Sequence, residues 1–164
     1  MRILAIDPAL NKSGWAVIKK QSDGSLIYID SGIIKVEGSL DLMLKLKIIK
    51  DSITEIIKKF RPEEIAIEEI FVNKNPSTSL KLGHARGVII AACLDFEIEI
   101  YQYAANLIKK SICGMGRADK QQVATMVKIL MPKAEFKYDD ESDALALAIC
   151  HVNHRQFADN FKQA

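Results

Sequence analysis

Two short apolar runs, RILAID at residues 2–7 and EIAIEEI at 64–70, each close on acid. One long helical pattern lies between them: Leu42, Leu46, Ile49, Ile53, Ile56 and Phe60 recur at steps of four and three. A strand that returns to its own sheet through a long helix does so by a right-handed crossover and lies parallel to the first strand. The two runs therefore finish at one edge of a sheet. Asp7 ends the first, and Glu68 stands near the end of the second. Sites in such sheets form outside the carboxyl ends of the strands.

The rest of the chain fills in that frame. Residues 13–20 and 25–36 read as an antiparallel hairpin turning at Ser22-Asp23-Gly24-Ser25. Ser39 is the expected cap of the long helix, which stops at Arg61-Pro62. After strand 64–70, Asn73-Lys74-Asn75-Pro76 reads as a loop, and Ser77 or Ser79 opens a helix to about Leu94. A strand is expected at 97–102 and helices near 104–112, 119–131 and 140–155. The result is an α/β fold, a mixed five-stranded sheet with helices on both faces, in one domain spanning residues 1–164.

Composition narrows the function classes. No apolar run reaches the roughly 18 residues that cross a bilayer, and the first residues turn polar too soon for a signal peptide. A cytoplasmic, membrane-free protein is the expectation. The three cysteines, Cys93, Cys113 and Cys150, are too widely spaced for a zinc site and read as reduced core or helix-face residues. Charge is balanced overall but uneven along the chain. Residues 103–133 carry Lys109, Lys110, Arg117, Lys120, Lys128 and Lys133 against Asp119 alone, and residues 139–143 then carry four acids. A basic stretch beside an acidic knot suits a protein that holds a polyanion and sets metal against it. It equally suits two solvated faces.

The acids decide between these. Asp140 and Asp143 lie three apart on one helical face, and Leu147 continues that face inward. Asp139 and Glu141 are explained by the positive end of the helix dipole, and Glu141 is expected in solvent. Asp7, Glu68, Asp140 and Asp143 gathered without cations would repel and raise one another's pKa. A divalent cation relieves this, and oxygen-only ligands select magnesium or manganese. Two such ions about 4 Å apart suit phosphodiester hydrolysis. Glu69 faces away if the strand alternates. The three histidines read as surface or helix-face residues, with His151 a candidate for the edge of the site.

Several stretches resemble the RuvC family of Holliday-junction resolvases. They are Ile6-Asp7-Pro8 with Gly14, Ala66-Ile67-Glu68, Phe71, Lys74-Asn75, Leu80-Lys81-Leu82-Gly83, Ala85-Arg86-Gly87, Tyr103-Ala104-Ala105, Gly114-Met115-Gly116 and Asp143-Ala144-Leu145-Ala146. The resemblance runs from residue 2 to about 152. It implies a ribonuclease-H-like fold, a homodimer, cutting of four-way junction DNA with magnesium, and a branch-migration complex as partner. Residue by residue it implies that Asp7, Glu68, Asp140 and Asp143 are the catalytic acids. It makes Lys109 and Lys120 contacts to DNA, and Phe71 an aromatic stacked near the exchange point. It places the helix holding Leu80 to Cys93 at the dimer interface. Lys74, Lys81 and Arg86 are further candidates for phosphate. Ala9 stands where the family has glycine, which puts the loop after Asp7 in question, and Glu69 stands where an uncharged amide is common. The competing readings are a catalytically impaired junction-binding module, a ribonuclease H on hybrid duplexes, and an actin-like phosphotransferase, for which 164 residues leave no room.

Overall fold

The computed structural model describes residues 1–70 and 76–162, with side chains placed through residue 155. Its elements are β1 (Arg2–Asp7), β2 (Lys12–Lys20), β3 (Leu26–Lys35), α1 (Leu42–Phe60), β4 (Glu64–Glu68), α2 (Pro76–Leu94), β5 (Glu99–Tyr103), α3 (Ala105–Cys113), α4 (Lys120–Leu130) and α5 (Asp139–Lys162). The sheet order is β3-β2-β1-β4-β5. β1 to β3 form the antiparallel meander, and β1, β4 and β5 run parallel. This is the mixed five-stranded sheet expected from the sequence.

Alternation along the strands sorts the core into two layers. Leu4, Ile6, Ile65 and Ile67 face α1 and α2 with Ile49, Ile53 and Ile89. Ile3, Ala5 and Ala66 face α3, α4 and α5 with Leu145, Leu147 and Val123. Because β1 and β4 keep this alternation to their last residues, Asp7 and Glu68 emerge on the α5 side. Cys93 and Cys150 are buried, Cys113 is half-buried, and all three are free thiols.

Two local expectations for α1 are corrected. Its cap is Asp41, whose carboxylate accepts from the Leu44 N–H at 3.0 Å; Ser39 instead donates to Glu37. Its buried row is Lys45, Ile49, Ile53 and Ile57, a ridge of i, i+4 positions, and Ile56 is only half-buried. Lys45 is held inside because its Nζ donates to the Asn11 side chain and the Gly38 carbonyl, at 3.0 and 2.8 Å. α1 ends where Arg61 turns left-handed, at φ 47°, ahead of Pro62.

Candidate active site

Asp7 is the last residue of β1 and lies opposite Gly14 of β2. Glu68 is the last residue of β4, one strand over. The third wall is the first turn of α5. Asp7, Glu68 and Asp143 line one cavity of about 190 Å³ with Lys109, Lys120, Ile108 and Val123. Asp140 does not line it. Its backbone carbonyl presses on Gly14, where an added Cβ would sit 2.0 Å from the oxygen. Its charge still reaches Asp7 and Asp143. The first turn of α5 can approach β2 this closely only over a residue without a side chain. A glycine inside a strand is the sequence signal for such an approach, and its structural meaning was missed in the sequence.

The electrostatics follow from that crowding. Burial, then the charges of Glu68, Asp143 and Asp140, push Asp7 up to about 8; Lys120 offsets this only partly. Burial, then Asp143, push Glu68 up to about 7 against Lys109 and Lys120. Burial also raises Asp143, although Lys120 Nζ stands 3.6 Å from its Oδ2. Acids that hold protons near neutrality are short of positive charge. Among the described residues, no group of three or more His, Cys, Asp and Glu side chains is placed so that it could hold a metal ion as it stands. The cluster is an open arc of oxygen donors with no histidine or cysteine in its lining. Such an arc fits a hard divalent cation whose shell is completed by water and substrate.

The expected DNA contacts divide. Lys109 and Lys120 share the cavity with the acids. Lys81 is exposed on α2. Arg86 is partly committed elsewhere: its Nε donates to the Glu68 carbonyl at 3.3 Å and its terminal nitrogen bonds Gln102. It thereby clamps the end of β4 to β5, a role the sequence did not suggest. Phe71 and Lys74 lie outside the described residues.

The family model described as crossover junction endodeoxyribonuclease RuvC matches residues 3–151. The chain belongs to the RuvC family. A RuvC from Sinorhizobium medicae is 42% identical over 95% of this chain and 93% of its own length. One from Methylorubrum extorquens is 44% identical over 94% of this chain and 82% of its own. The structure of Thermus thermophilus RuvC in complex with Holliday junction substrate superposes with a TM-score of 0.88 at 25% identity, covering 96% of each chain. A yeast mitochondrial Holliday junction resolvase, at 14% identity and a TM-score of 0.67, shares the fold.

Within this RuvC-family loop, Ala9 needs no left-handed backbone. Left-handed φ values at residues other than glycine occur only at Arg61 and Glu97 among the described residues. Ala9 is latched instead, its N–H bonding Ser13 Oγ at 3.0 Å while that hydroxyl donates to the Ala9 carbonyl at 2.6 Å. Glu69 is exposed, as the alternation implied.

Two readings are corrected. Glu141 is buried rather than solvated: it accepts from the Lys137 and Tyr138 N–H groups and from Ser31 Oγ, so it ties the start of α5 to β3. His151 is not at the edge of the site. It is fully buried, bonded to Glu64 Oε2 at 2.6 Å and to the Tyr103 hydroxyl at 2.8 Å.

Proposed function

We propose that this RuvC-family chain is an endonuclease that resolves four-way DNA junctions, nicking two opposite strands symmetrically by phosphodiester hydrolysis in recombination and repair. The observation that carries the reading is the single cavity where carboxylates from β1, β4 and α5 meet two lysines. The alternatives, an impaired binding module and a ribonuclease H, are not favoured: the acids are intact, and the family match is to a junction nuclease.

Asp7, Glu68, Asp140 and Asp143 are the proposed catalytic acids and metal ligands, for two magnesium ions that manganese can replace. Bound there, the ions would supply Lewis-acid activation of water and charge neutralisation at the departing 3′ oxygen, leaving a 5′ phosphate. The chain's own contribution is placement. Arg86 fixes the carbonyl of Glu68, and Gly14 lets the first turn of α5 close on Asp7. Lys109 and Lys120 offer the cations nearest the acids and would hold the phosphate beside them. Phe71 and Lys74 remain proposed contacts, with Lys81.

Residues 1–164 are proposed to act as one nuclease domain in a homodimer, whose two-fold axis would match that of the junction. The exposed face of α2 supports this: Leu80 and Leu94 are 64% and 62% exposed, and nothing stands within 4 Å of a Cβ placed at Gly83 or Gly87. A cytoplasmic location and a branch-migration partner complete the proposal.

The test is an immobile four-way junction incubated with and without magnesium. Paired nicks that need magnesium are expected. Binding without cutting would favour the impaired module, and faster cutting of RNA–DNA hybrid would favour the ribonuclease.

A further inference from the structure

A cleft larger than the one at the acids lies away from them. A cavity of about 740 Å³ opens on the other flank of the first turn of α5, between β2, β3 and the segment leading into the helix. Its charged lining is four lysines, Lys12, Lys35, Lys128 and Lys137, against two glutamates, Glu135 and Glu141. Two of these six are already spent. Glu141 is saturated by three hydrogen bonds, and Lys128 donates to the Ala134 carbonyl and lies over the Phe136 ring. Lys12, Lys35 and Lys137 are exposed and form no ion pair among the described residues.

Lys12 and Lys35 are also direct cross-strand partners of β2 and β3. Like charges placed opposite one another destabilise a sheet. Nothing in the fold requires that pair, and a bound polyanion would turn its cost into affinity. Lys12 lies two residues from Gly14, the residue on which Asp140 rests. Two strand residues span about 7 Å, so the lysine pair stands beside the start of α5. Tyr138, 57% exposed at the same cleft, offers a ring face to a sugar or base.

We propose that this cleft is a second DNA-backbone site, in which Lys12, Lys35 and Lys137 hold phosphates that flank the cut. The strand being cut then crosses the start of α5, with Lys109 and Lys120 on one side and this cleft on the other. The inference rests on the resolvase reading and adds to it a path for the DNA.

The test is binding of an immobile four-way junction across a salt series, with phosphate ethylation interference as the second readout. Lys12→Gln with Lys35→Gln is expected to lower the slope of log K against log salt by about 1.8, at about 0.9 for each phosphate contact. Interference at phosphates on one side of the cut should vanish, and interference at the cut itself should stay. Lys12→Glu converts the repelling pair into an attracting one. It is expected to melt about 1–4 °C above wild type while binding with a shallower slope. If wild type binds and cuts but both variants keep its slope and interference pattern, the cleft is wrong and the resolvase reading stands. If wild type shows no salt-dependent junction binding at all, both fall.

Discussion

Glu64 and Glu68 stand on the same strand and face the same helix layer, about 13 Å apart along β4. They meet opposite fates. Glu64 is buried with its charge answered: His151 Nε2 lies at 2.6 Å and Arg155 at 2.9 Å. The imidazole is in turn bonded by Tyr103, and burial keeps it below its ordinary pKa, so a neutral ring donating from Nε2 fits both contacts. Glu68 is half-buried among other carboxylates and is pushed up to about 7. One end of the sandwich completes its charge within the chain, and the other leaves it incomplete. An incomplete end, at the carboxyl edge of parallel strands, is where function is expected.

The largest expected effect separates the two acids by activity. Glu68→Gln should remove junction nicking by three orders of magnitude or more while the protein still folds. Glu64→Gln should keep nicking but lower the melting temperature by about 3–6 °C, as the amide replaces only part of the charge-assisted hydrogen bonding to His151 and Arg155, worth roughly 1.5 kcal/mol. Nicking rates and melting curves on both variants check this; equal loss of activity in both would break the comparison.

Proton linkage comes next. The folded pKa values of Asp7 and Glu68, about 8 and about 7, stand above their unfolded values of 3.8 and 4.5. The folded chain therefore holds extra protons. The stability these groups contribute is complete below about pH 4 and is lost as pH rises through 7–8. Without divalent ions, Asp7→Asn should stabilise the protein at pH 8 by up to about 5 kcal/mol, less as water enters the pocket, and have little effect at pH 4. Denaturant melts at the two pH values measure it. The same variant should bind junctions and not cut them.

Gly14→Ala tests whether the incomplete end depends on one close approach. The added methyl meets backbone at Asp140, so the start of α5 must move. A loss of about 1–3 kcal/mol, typical of overpacking, with at least a hundred-fold slower nicking is expected in melting and cleavage assays. The smallest effect is at Lys120, whose side chain is 61% exposed. Lys120→Ala should change stability by less than about 0.5 kcal/mol and lower the salt slope of junction binding by about 0.9.

The incomplete end was more legible in the sequence than the complete one. Strand ends, crossover handedness and the spacing of Asp140 and Asp143 are local or topological facts, and together they brought the acids to one edge. Glu64 reads as the polar start of a strand; its partners lie 87 and 91 residues away on a helix whose rotation the sequence does not reveal. Glu141 was misread for the same reason, since Ser31 is 110 residues distant. Arg86 looked like a free cation because backbone carbonyls such as that of Glu68 leave no mark in a sequence. The shift of the α1 cap from Ser39 to Asp41 is a smaller case: either residue can cap, and the loop leaving β3 decides.

Anomalous scattering from crystals soaked in manganese tests the central claim most directly. The account predicts peaks among Asp7, Glu68 and Asp143, with Asp140 drawn toward them, and none beside Glu64. A soaked crystal with no peak among those carboxylates, or with one at the Glu64 end instead, would contradict it.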